Sequence, residues 1–186
     1  MQLVSFYVNC CNLKIHPAME TRPSIKLTLS PIDRRLETLS KLLLVALWCL
    51  TFYSFIKLPP TIPTHFNALG KPDKYGNKLS ILILPVFSTI VYVGLTILNK
   101  YPHIFNYPTA ITEENAEKQY TIATRMLRFL KLAVLVVFSF ITLATFLSTL
   151  GISNGLGIWF LPSTSGIILI TIIVSIGQLL KKNRVK

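Results

Sequence analysis

Cysteine, histidine and carboxylate are all scarce in this chain, and each scarcity removes a class of chemistry. Cys10, Cys11 and Cys49 are the three cysteines, and their spacing makes neither a metal site nor a redox pair, so they read as inert thiols. Three histidines and seven acidic residues face 19 Lys and Arg. They form no nucleophile–base spacing, and the sequence holds no CxxC motif and no glycine-rich phosphate cradle. The expectation is a protein that is not an enzyme, with no catalytic residue, no cofactor and no metal. No repeat of 20 to 50 residues is visible. The opening Met1 to Asn9 lacks a basic start and a long apolar run, so it does not read as a signal peptide. Met19 is a second candidate start, and residues 1–18 read as an over-extended frame.

What the chain has in quantity is apolar sequence, 52% of its 186 residues. A bilayer core roughly 30 Å thick takes about 20 nearly charge-free residues per helix. Four such stretches occur: Leu39 to Leu58, pinned by Lys41 and Lys57; Leu79 to Leu98, with Pro85 set to loosen its first turns; Phe129 to Leu150; and Gly157 or Pro162 to Leu180. The expected fold is an all-α polytopic membrane protein of four transmembrane helices. These windows contain no Asp, Glu, His or Arg, which argues against a pump or ion-coupled transporter. Lys131, in the third window, is expected to snorkel to the interface. Thr142, Thr145, Ser148 and Thr149 on the third helix, and Ser163, Thr164, Ser165, Thr171 and Ser175 on the fourth, are expected to bond between helices.

Orientation follows from basic residues. With both termini inside (N-in/C-in), the cytoplasmic segments hold all six Arg and most Lys, whereas Lys57, Lys71, Lys74 and Lys78 fall outside. The formal charge of +12 is then largely a topology signal. A nucleic-acid partner is not expected, because no segment offers a soluble basic face.

Local signals divide the chain into a cytoplasmic N-terminal segment 1–38, a membrane domain 39–150, and a fourth helix with a basic tail, 151–186. Ser30-Pro31-Ile32-Asp33 reads as a helix start with Pro at the first position and an acid in the first turn. Arg34 and Arg35 then lie near the inner headgroups. After Pro102 and Pro108, Thr112-Glu113-Glu114 opens a cytoplasmic helix over 112–128 that runs unbroken into the third span. Ala116, Tyr120, Ala123, Leu127 and Leu130 form its apolar stripe.

The segment between the first two helices, Leu58 to Lys78, stands apart. Three prolines in five positions, Pro59, Pro60 and Pro63, forbid helix and favour an extended, polyproline-like exit from the membrane. Asn67 to Gly70 and Pro72-Asp73 suit successive turns, and Gly76-Asn77 suits a third or the N-cap of helix two. A structured, non-helical outer loop results, with Ile62, Phe66, Leu69 and Tyr75 folding down onto the helix ends or the lipid interface. It is either a structural lid or a lid that also binds. His65 has three readings: a pH-sensitive switch, a metal ligand with Asp73, or a hydrogen-bonding member of the loop's framework. His103, Glu113, Glu114 and Glu117 are expected across the membrane from it.

The ordered string Ile62-Pro63, His65-Phe66-Asn67, Gly70, Asp73, Gly76 and Lys78, ahead of an apolar helix, resembles a bacterial membrane family of unknown function. The same domain forms the N-terminal part of immunity proteins against the sporulation-delaying peptide toxin. A looser likeness runs from Ile25 to Leu150 and includes Asn106-Tyr107-Pro108. The resemblance implies a non-enzymatic protein of the bacterial inner membrane that binds a peptide, lipid or protein. In the immunity branch, cells are protected from a secreted peptide, and its signal is relayed by holding a repressor at the membrane. The ligand- or partner-binding residues it implies are Pro63, His65, Phe66, Asn67, Gly70, Asp73, Gly76 and Lys78. Membrane lipids, a secreted toxic peptide, another membrane protein and further copies of the chain are the partners to consider. The rival reading is a small permease or channel subunit, with the polar residues of helices three and four lining a path.

Overall fold

The computed structural model describes residues 22–181. Cys10, Cys11, Met19 and the basic tail after Lys181 lie outside them. Among the described residues four helices are long and apolar enough to cross a membrane, the architecture of a multi-pass membrane protein. They are α1 (Pro31–Lys57), α2 (Ile83–Leu98, entered through a 3-10 stretch Lys78–Leu82), α3 (Glu113–Thr149) and α4 (Phe160–Leu180). The all-α expectation needs correction, because the segment between α1 and α2 is a β-hairpin of β1 (Thr61–Phe66) and β2 (Pro72–Asn77).

The helix starts follow from local chemistry. Ser30 accepts from the Asp33 N–H while the Asp33 carboxylate accepts from the Ser30 N–H, a reciprocal cap with Pro31 at the first position. Thr112 and Asn115 make the same kind of box at the start of α3, followed by Glu113 and Glu114 at the positive end of the helix dipole. Both α1 and α3 are single helices that overrun their apolar windows by about two turns or more. Pro85, which cannot donate to the carbonyl four residues earlier, sits just after the 3-10 entry to α2.

α3 is the central element and packs against each of the other three helices. Tyr53 of α1 meets Phe146, Phe87 of α2 meets Phe138, and Phe160 of α4 stacks on Phe140. Trp48 donates to Thr89 at 3.1 Å, tying α1 to α2. Connectivity places the hairpin and the Gly151–Trp159 turn at one end of the bundle. The α2–α3 connection with His103, and the start of α3 with Glu113, Glu114 and Glu117, are at the other. Polar residues of α3 and α4 behave differently from expectation. Thr142, Thr149, Thr164, Thr171 and Ser175 donate to carbonyls of their own helix, mostly one turn back, instead of bridging helices. A hydroxyl one bond from the backbone finds that carbonyl without any partner having to approach.

Candidate functional site

The hairpin is built from the residues that make the sequence string unusual. Thr61 pairs with Asn77, Ile62 with Gly76, Pro63 with Tyr75, His65 with Lys74 and Phe66 with Pro72. Thr64 has no opposite number, so the strand bulges there. Its methyl lies over Gly76, where a Cβ would come within about 3.0 Å of it. Pro63 is tolerated because a two-stranded ribbon leaves edge positions that need no N–H. The expected turn at Pro72-Asp73 is corrected: both residues are in β2, held extended by pairing with β1.

Asn67 shapes the tip. Its side-chain oxygen accepts from the N–H groups of Leu69 and Lys71 at 2.9 and 3.1 Å, and its backbone exchanges bonds with Gly70 and Lys71. Gly70, with φ +73°, donates to the Asn67 carbonyl and presents its own carbonyl to the Leu156 N–H at 2.7 Å. A Cβ on Gly70 would fall about 2.5 Å from the Gly157 carbonyl oxygen. The hairpin tip therefore lies backbone to backbone on the turn between α3 and α4.

The hairpin base is anchored as firmly. Ile62 is buried with Leu58 and Ile81, against Phe55, Leu82 and Phe146. Lys78 donates to the Phe55 carbonyl at 3.2 Å and lies over the Phe55 ring, 4.8 Å from its centre. It thus places a cation at the negative end of α1. Asn77 accepts from the Leu79 N–H and caps the 3-10 entry.

His65 and Asp73 meet across the ribbon, Nδ1 to Oδ1 at 2.6 Å, with side chains 57% and 37% exposed. Among the described residues no third metal-ligating side chain joins them. Leu69 and Tyr75 stand 53% and 64% exposed, so the helix ends, one of the two placements expected for them, do not cover them. The hairpin thus separates into a framework (Ile62, Asn67, Gly70, Gly76, Lys78) and an outward face that includes His65 and Asp73 of the string with Lys74 and Tyr75 beside them.

A second constellation escaped the sequence reading. At the far end of the bundle, Asp33 and Glu37 of α1 meet Arg125, Arg128 and Lys131 of α3. Arg125 grips both Asp33 oxygens at 2.9 and 3.1 Å, and Arg128 donates to Glu37 at 3.1 Å. Lys131 is bonded to Glu37 and to Thr96 of α2, with its ammonium over the Tyr92 ring. Its side chain is 0% exposed, so it does not snorkel. The apolar stripe expected on α3 holds at Ala116, Tyr120 and Ala123, but the buried face then continues through Arg128 and Lys131, while Leu127 and Leu130 are only half-buried. The available signal was the four-residue step from Asp33 to Glu37 set against the three-residue steps Arg125–Arg128–Lys131. It becomes meaningful once α1 and α3 are known to run parallel and to continue past their apolar windows.

The connection between α2 and α3 packs beside this cluster. Tyr107 donates to the Pro102 carbonyl and Tyr120 to that of Pro23, while Arg22 lies over the Tyr107 ring. Burial first, then the neighbouring Tyr120, push the Tyr107 phenol above its ordinary range, against the opposing pull of Arg22.

A family model described as "Domain of unknown function (DUF1648)" matches residues 42–89, which span the apolar part of α1, the hairpin and the start of α2. An uncharacterized protein of Archaeoglobus fulgidus is 38% identical over 90 residues, covering 42% of this chain and 49% of that protein. The chain thus spans about half the length of the curated relative it matches. No solved structure matches it.

Proposed function

We propose that this is a non-enzymatic protein of the cytoplasmic membrane, with both termini inside, that presents the hairpin outside as a rigid binding surface for a peptide, lipid or protein. The role closest in kind is protection against a secreted membrane-active peptide, as in the immunity proteins that carry a similar string. The observation that carries the reading is the division of labour in the hairpin. Five string positions are spent on anchoring the ribbon at its base, its strands and its tip, and this leaves His65, Asp73, Lys74 and Tyr75 displayed on a fixed backbone. A preorganised surface binds without the ordering cost of a mobile loop. The basic residues concentrated at the opposite end of the bundle support the orientation.

Cells sensitive to the sporulation-delaying peptide and expressing this chain should survive the peptide, and the combined substitution His65→Ala, Asp73→Ala, Tyr75→Ala should abolish survival at unchanged membrane abundance. Equal survival of the triple variant, or no protection by the natural chain, overturns the reading. In a background without Cys10, Cys11 and Cys49, Lys74→Cys should react with a membrane-impermeant maleimide in intact cells. Reaction only after lysis overturns the orientation.

A further inference from the structure

α4 packs chiefly on α3 and is the least buried of the four spans. Between the two helices runs an open apolar groove of about 530 Å³, walled by residues such as Leu132, Ala133, Val136, Phe140 and Ile167. The hydroxyls of Thr164 and Thr171 at its edge are turned to their own helix carbonyls, so the wall offers little to a polar ligand. At Phe129 and Thr171 the groove passes into a second cavity of about 300 Å³, where Arg125, Ser175 and Gln178 take over the lining.

Arg125 is the charged face of the ion cluster. Its Nε and Nη2 are committed to Asp33 and Ser30, but Nη1 makes no hydrogen bond among the described residues, and 32% of the side chain is exposed. The cluster sets three cations, Arg125, Arg128 and Lys131, against two carboxylates, Asp33 and Glu37, which leaves one positive charge in excess. An apolar channel along two membrane-spanning helices, ending beside polar side chains at the part-exposed guanidinium edge of a cluster with net positive charge, has the polarity of one amphipathic molecule: a long hydrocarbon tail with an anionic head.

We infer that the α3–α4 groove is a binding site for one anionic phospholipid, its acyl chain along Ala133 and Val136 and its phosphate at Arg125. The lipid comes from the leaflet that the start of α3 faces, so the inference stands whichever side the termini occupy. A second copy of the chain fits less well, because among the described residues Asp33 and Glu37 are the acids at this level of the bundle and both are already paired.

The test is native mass spectrometry of the full chain in detergent, titrated with palmitoyl-oleoyl phosphatidylglycerol, phosphatidylethanolamine or glycerol 3-phosphate. One phosphatidylglycerol should be retained about tenfold more strongly than phosphatidylethanolamine, the scale of one charge-assisted hydrogen bond, with glycerol 3-phosphate not competing. Arg125→Gln should bring the two lipids to parity. Ala133→Phe fills the groove away from the ion cluster and should remove lipid retention while the protein stays folded and paired at Asp33. Equal retention of both lipids by the natural chain, undiminished phosphatidylglycerol on Ala133→Phe, effective competition by glycerol 3-phosphate, or a dimer that Ala133→Phe dissociates would each overturn it.

Discussion

The carbonyl of Gly70, at the tip of the hairpin, accepts the N–H of Leu156 at 2.7 Å, so the segment after α1 and the turn before α4 are joined through backbone atoms. Gly70 is in the left-handed region at φ +73°, and a Cβ there would collide with the Gly157 backbone. Gly70→Ala combines a strained backbone, costing about 1–2 kcal/mol, with the loss of this contact. It should lower the thermal midpoint of the detergent-solubilised protein and expose the hairpin to proteolysis. Gly94→Ala, in open space on α2, should instead leave stability unchanged or raise it by up to about 1 kcal/mol.

Lys131 is held by Glu37 with no access to solvent. Glu37→Gln strands the buried Lys131 ammonium, at a cost of about 3–5 kcal/mol, whereas Lys131→Met leaves Glu37 its Arg128 partner and a partly exposed side chain. Glu37→Gln should therefore destabilise strongly and Lys131→Met less, and the double variant should be more stable than Glu37→Gln alone. A double-mutant cycle by thermal unfolding measures the coupling. Additive losses would show that the pair is not coupled.

Within the hairpin, framework and face should separate energetically. Asn67→Ala frees two backbone N–H groups and Lys78→Met removes the cation from the end of α1, so each should cost about 1–2 kcal/mol. His65→Ala and Asp73→Ala break an exposed pair and should cost less than about 1 kcal/mol. Chemical denaturation of the four variants checks the order.

Tyr107 gives a pH dependence of definite sign. Its folded-state pKa lies above the ordinary value of 10.0, so below that value the phenol is neutral in both folded and unfolded chains and its stabilising contribution is complete. As pH rises past about 10 the unfolded chain loses the proton first, and stability falls. Tyr107→Phe should remove one phenolate that forms above about pH 10 in an ultraviolet titration, and should flatten the loss of stability above that pH.

Much was decided locally. The four spans, the caps at Ser30 and Thr112, the unbroken α3 and the turn at Asn67–Gly70 all follow from apolar run length, side chains that reach their own backbone, and a residue free to take positive φ. These causes act within a few residues and are readable from order alone. The strands were not: Pro63 and Pro72 look like breaks until a partner strand supplies the bonds that make an extended ribbon. Only assembly could decide that Lys131 is buried instead of snorkelling, that Lys78 belongs to the end of α1, that Gly70 is needed because Gly157 lies against it, and that Asp33 faces Arg125 across 92 positions of sequence. Burial and charge pairing depend on distances between residues remote in the chain, and those distances exist only once the helices are packed.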